Sequence, residues 1–272
     1  MKRCISTAAI LVICVAPLRA DLTIVQTMNL EGGFAAMMGG IKPPTMTTRL
    51  KGAKARTDID MMDQKITTIV DVTAKQVTML NAATKTANVI TAGEMPGLPA
   101  GAPTPKIDVS FKPTGQTRTI DGVSCDDYAL DMTLSLAEMT GAQMPPEAAA
   151  QLKDVTIVLA GTSCIAKNAP GAAEYVAFQR TAAANALDWV LKGGVPGQQI
   201  QGMDKVLAAL SSAEGLPYLT ELTLSFQGTG PMVDMMKQMG AMKMTQKVTS
   251  VSTDAIADDM FIVPADYKVE KK

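Results

Sequence analysis

The chain of 272 residues contains no histidine. That absence removes Ser-His-Asp and Cys-His catalysis, ordinary catalytic zinc and the usual near-neutral general base. Aromatics are scarce at 4%, whereas methionine is abundant at 20 residues, so flexible thioethers fill space that Phe or Trp would otherwise occupy. Charge is sparse as well: charged residues make up 19%, the formal net charge is −1, and no block of like charge occurs. No basic face is available to neutralise a run of phosphates, which argues against a nucleic-acid partner. There is no Cys-x-x-Cys pair and no glycine motif that cradles phosphate. Asp58, Asp60 and Asp63 lack the glycine and closing glutamate of a calcium loop. The carboxylate pairs Asp126-Asp127 and Asp258-Asp259 are sequence neighbours, and adjacent strand residues point to opposite faces, so neither pair converges for glycosidase chemistry. No catalytic residue, metal site or cofactor is expected. The chain reads as a non-enzymatic protein.

What is present begins with an export signal. Lys2 and Arg3 precede the apolar stretch "CISTAAILVICVAPL", and "PLRA" ends in the small residue Ala20, which suits cleavage after about that position. Residues 1–20 are therefore expected to be a signal peptide and the remainder periplasmic or secreted. The apolar run is short for a membrane span and none comparable follows, so no transmembrane anchor is expected. Ile13 before Cys14 is too large for a lipoprotein signal. Cys4 and Cys14 leave with the signal, and Cys125 with Cys164 remains as an even pair bound for an oxidising compartment. A disulfide between them would close a loop of about 40 residues, worth about 4 kcal/mol. Both fall on the more polar faces of their extended runs, as a cross-strand bridge requires.

The first half alternates with period two. "LTIVQTMNL" over 22–30 is followed by "TTRLKG", "ARTDID", "ITTIVDV", "QVTMLN" and "TANVI", separated by gaps too short for helical crossovers. This predicts an antiparallel meander. A Pro/Gly-rich loop over 91–105 interrupts it. "GQTRTI" and "VSCDDYALDM" flank Asp121-Gly122, a two-residue hairpin signal. Helical period enters late: Pro170 opens a stretch with Tyr175, Phe178, Ala182 and Trp189 at helical spacing, closed by Gly193 and Gly194. A second helix is predicted over 202–215, then a strand, "LTELTLSFQG". Strands with helices inserted late predict one α+β domain over 21–272, its helices packed on one face of a curved antiparallel sheet.

"PMVDMMKQMGAMKM" (231–244) is the densest methionine stretch. As a helix it places Met232, Met235, Met236 and Met239 at i, i+3, i+4 and i+7, opposite Asp234 and Lys237. Three readings stand: a stripe facing the core, an adaptable apolar groove, or thioethers at Met-x-x-Met spacing holding Cu(I). In the groove reading, Phe178 and Trp189 join the stripe. "GGFAAMMGG" (32–40), with Phe34, Met37 and Met38 between glycine hinges, forms a flap over the opening.

"KGAKARTDI", "TTIVDVTAKQVTMLNAATKTANVI", "IDGVSCDDYAL", "AKNAPGAAEYVAF" and "FIVPADYK" together resemble a bacterial family of exported proteins known as domain of unknown function 4412. That family is similar in outline to LolA-type periplasmic lipoprotein carriers. The resemblance implies a strongly curved, incomplete antiparallel barrel with two or three helices on its concave face. It also implies an apolar or lipid-like ligand, or an acylated partner protein, held between sheet and helices. It implies no catalytic residues. An envelope protein without a small ligand is the alternative from another class.

Overall fold

The computed structural model describes residues 21–32, 43–61, 64–91, 107–136, 152, 154–193, 212–238 and 240–271. Period-two alternation and short polar turns give twelve strands: β1 (Leu22–Glu31), β2 (Thr45–Lys51), β3 (Lys54–Met61), β4 (Gln64–Asp71), β5 (Gln76–Asn81), β6 (Thr86–Thr91), β7 (Ile107–Ile120), β8 (Val123–Ser135), β9 (Thr156–Ala166), β10 (Leu216–Gln227), β11 (Met242–Ser252) and β12 (Lys268–Lys271). Among the described residues two helices have given bounds, α1 (Ala172–Gly193) and α2 (Pro231–Gln238), with a 3-10 turn at Asp258–Phe261. The strands form one sheet in the order β12-β6-β5-β4-β3-β2-β1-β11-β10-β9-β8-β7. Two five-strand meanders, β2 to β6 and β7 to β11, thus flank the central β1. Every neighbouring pair is antiparallel except β12 on β6.

Among the described residues the chain is mostly β, with less helix than the α+β expectation gave it. The sheet is open, with β12 and β7 as its edges. β12 adds outside β6 and runs parallel to it, which extends the sheet instead of joining its two ends, so no closed barrel forms. The expected signal segment 1–20, nearly all of the 91–105 loop, the flap residues Phe34, Met37 and Met38, and most of the 202–215 helix lie outside the described residues.

Local chemistry fixes the turns. Asp121 and Gly122 take φ of 50° and 82° between β7 and β8, the positive values a two-residue hairpin needs. Between β4 and β5 the Asp71 carboxylate accepts from the Ala74 amide at 2.8 Å. Asn81 does the same for Ala83 and Thr84 at 3.0 and 3.1 Å, between β5 and β6. At the start of α1, Gly171 has φ of 73°, and a Cβ there would stand 2.2 Å from Leu22 Cδ1. The chain therefore enters α1 pressed against the buried end of β1.

The main core gathers Leu22, Ile24, Leu50, Leu216 and Val248, with Tyr175 and Phe178 of α1 packed on it. Cys125 and Cys164 form the expected disulfide between β8 and β9, with 5.3 Å between Cα atoms. They belong to this core at 2% and 0% exposure, while register pairs Cys125 with Arg118 and Cys164 with Asp127 on the same, more polar face. Ala166, Ala169 and Ala172, leading into α1, belong to the same cluster as that end of the strands. A second core forms where residues after β11 cross β4 to β6: Ile256 and Phe261 pack against Ile69, Leu80 and Ala87.

Candidate functional site

α1 is alanine-rich and carries Glu174 in its first turn, where a carboxylate favours the helix N-terminus. Tyr175, Phe178, Gln179 and Ala182, at i, i+3, i+4 and i+7, face the sheet across a cavity of about 540 Å³. This size suits a small ligand. Apolar side chains reach it from both halves of the sheet: Ile24, Met46, Leu50, Ala55 and Val70 from β1 to β4, Phe111, Leu130 and Ile165 from β7 to β9. Phe111 and Tyr128 stack with ring centroids 5.0 Å apart and stiffen that wall. Ala213, Gly215, Leu216 and Pro217 line one side, and Glu214 between them, outside the lining, pairs with Arg180 of α1.

The floor of the cavity carries a seam of uncharged polar groups. Strand register places Ser163, Thr220 and Gln246 side by side on β9, β10 and β11. The Ser163 and Thr220 hydroxyls are 2.9 Å apart, and Gln246 Nε2 donates to Gln26 Oε1 of β1 at 3.0 Å. Thr48 and Thr57 continue the seam onto β2 and β3, their hydroxyls 3.4 Å apart. Among the described residues no charged side chain lines the cavity. Burial pushes the Tyr175 hydroxyl up from its usual pKa, against an opposing hydrogen bond with Gln179, so the roof is uncharged too.

Among the described residues, Phe178 of the expected groove set lines this cavity, together with Tyr175 and Ala182 of the same helical stripe. Trp189 lies in α1, but its side chain is outside the described residues. Met232 lies in α2 with its side chain undescribed, and Met239 is outside the described residues. Met235 is 53% exposed, and Met236 is half-buried against a separate cluster formed by Leu152, Val155 and Val233. No described residue of α2 lines the cavity. Met46 does, although it stood outside any methionine cluster. The polar seam was missed as well; its members are ordinary strand residues in sequence, and only the pairing of β1 with β11 brings Gln26 to Gln246.

Among the described residues no group of His, Cys, Asp and Glu is arranged to hold a metal ion. No helix of the described residues is long and apolar enough to cross a membrane. No protein-family model matches the sequence, and neither does any curated protein. Among solved structures, an uncharacterized conserved protein from Thermus thermophilus is similar over 94% of this chain and 92% of its own length, at 8% identity and a TM-score of 0.38.

Proposed function

We propose that this chain is an exported, non-enzymatic protein that binds an apolar or lipid-like ligand, or the acyl group of a partner, in the cavity beneath α1. One observation carries the reading: α1 turns its Tyr175, Phe178 and Ala182 face toward apolar sheet residues, yet a cavity of about 540 Å³ separates the two layers. A helix packed only for stability would close that space, since interiors pack with few voids larger than water. An acyl chain would bury the same apolar side chains from both sides.

The finer picture is a sheet that bends over its helix. Val70 of β4 and Phe111 of β7 line the same cavity, although eight strand spacings of about 4.8 Å separate those strands in the sheet order. Relation to the exported family of unknown function, and through it to lipoprotein carriers, belongs to this proposal. The disulfide fits an oxidising compartment and, with the N-terminal pattern, supports a periplasmic or secreted site of action.

The test is titration with a pyrene-labelled monoacylglycerol, read by fluorescence. Saturable binding is expected, and Ala182→Glu, which puts a charge into the cavity, should remove it while the fold persists by circular dichroism. Absence of saturation, or unchanged binding by Ala182→Glu, would sink the proposal.

A further inference from the structure

We infer that the ligand of this cavity is an acyl chain joined through an uncharged, hydrogen-bonding linkage, an amide or a hydroxyl-bearing ester, and not a free fatty acid. This rests on the proposed apolar-ligand function and specifies the head group that the same site accepts. The seam across the floor decides it. Gln246 Nε2 donates to Gln26 Oε1, which uses one donor of one amide and one acceptor of the other. Among the described residues, Gln26 Nε2 and Gln246 Oε1 make no further hydrogen bond, so an available donor and an available acceptor stand together in the uncharged polar seam of the cavity. Ser163, only 5% exposed, and Thr220 share one hydroxyl proton between them, which leaves the other for a ligand or a neighbour.

A carboxylate entering here would lose its hydration and meet no cation, because no described Lys or Arg lines the cavity. Burying an unpaired charge costs far more than burying a hydrogen-bonded neutral group. A carboxylate also has no proton to offer Gln246 Oε1. An amide satisfies both sides at once: its carbonyl accepts from Gln26 Nε2 and its N–H donates to Gln246 Oε1. The hydroxyl of a monoacylglycerol supplies the same donor beside its ester carbonyl. A ligand that covers these half-buried amides and leaves them unpaired is the one penalised, and this gives the seam its selectivity.

Competition against the bound pyrene-labelled monoacylglycerol at pH 8 tests the inference, with palmitic acid, monopalmitoylglycerol and N-palmitoylglycinamide as competitors. The two uncharged competitors should displace the probe at concentrations at least tenfold lower than palmitic acid. Replacing both glutamines, Gln26→Leu with Gln246→Leu, should cut that advantage below threefold, since the paired change leaves no orphaned amide. Thr220→Val serves as a second variant should the double change fail to fold, and should cut the advantage at least twofold. Equal or better displacement by palmitic acid overturns the inference while leaving the acyl-binding function standing. So does full selectivity in a folded variant. If the monoacylglycerol probe itself never saturates, the function falls first and the head-group assignment falls with it.

Discussion

Arg56 and Asp58 lie two residues apart on β3, and the Arg56 guanidinium donates to both oxygens of the Asp58 carboxylate at 3.0 to 3.2 Å. Asp58 is only 3% exposed and also accepts from Arg49 and Thr67, each at 2.6 Å. Strand register sets Arg49 directly opposite Arg56, an arrangement of like charges that Asp58 offsets. Arg56 further donates to the Met260 carbonyl at 2.9 Å, and so ties the crossing segment after β11 to the sheet. This cluster is a structural one: its charges are consumed by each other and by backbone.

Removing the Asp58 charge should therefore cost stability. Asp58→Asn leaves two opposed guanidiniums uncompensated, and breaking a buried pair from one side costs about 3 kcal/mol. Burial alone would raise the Asp58 pKa, but hydrogen bonds from Arg56 and Thr67 and the charges of Arg56 and Lys65 outweigh it and hold it below the usual carboxylate range. A depressed folded-state pKa means stability that is present above the unfolded value and lost as pH falls through the folded one. The melting-temperature gap between wild type and Asp58→Asn should hold steady from pH 7 to about 4 and narrow below it. A gap that narrows already above pH 5 would show that another group controls this site.

The disulfide should be both stabilising and protected. It closes a separation of 39 residues, and the chain-entropy account gives about 4 kcal/mol for such a loop. Cys125 and Cys164 are 2% and 0% exposed, so a reductant reaches them only when β8 and β9 part. Thiol titration of the unreduced, denatured protein should find no free thiol from this pair. In the native protein, dithiothreitol should act no faster than global unfolding, as followed by mass shift after alkylation. Rapid reduction under native conditions would contradict the buried placement.

Sequence periodicity made the strands legible because it depends on neighbours one and two residues away. β1, β4, β5 and β6 fall where alternation puts them, as do α1, from just after Pro170 to Gly193, and the Asp121-Gly122 hairpin. Register and strand partners are long-range, and periodicity does not carry them. Gln26 and Gln246 are joined only because β1 inserts between β2 and β11. β7 shows a different limit. Only "GQTRTI" signals a strand before the hairpin, yet the strand runs from Ile107 and absorbs Pro113 and Gly115 at a register shift. The cysteines share a face with Arg118 and Asp127, as alternation puts them, but their near-complete burial is not something alternation within a strand shows.

The last expectation concerns the rotation of α2. Its methionine spacing predicted a stripe of Met232, Met235, Met236 and Met239 against the sheet. Val233 is fully buried, with Leu152 and Val155 in its cluster and Met236 packed against it, while Met235 is 53% exposed; the side chains of Met232 and Met239 lie outside the described residues. Val233 and Met236 are themselves i and i+3, so the helix is still amphipathic, but turned about its axis. Lys237 Nζ donates to the Gly228 carbonyl at 3.0 Å, and the Asp234 amide to the Gly230 carbonyl at 3.0 Å, contacts that fix an eight-residue helix in this setting. Val233→Ala should accordingly cost about 2 kcal/mol through lost burial and a residual cavity. Met235→Glu should change stability by less than about 0.5 kcal/mol, as surface substitutions do. Denaturant titration of the two variants separates these outcomes. Met235→Glu should also leave binding of the pyrene-labelled monoacylglycerol unchanged, because Met235 is exposed and no described residue of α2 lines the cavity beneath α1. If that single charge abolished binding, the ligand site would return to the methionine helix, and Phe178 and the glutamine seam would be left as parts of the core.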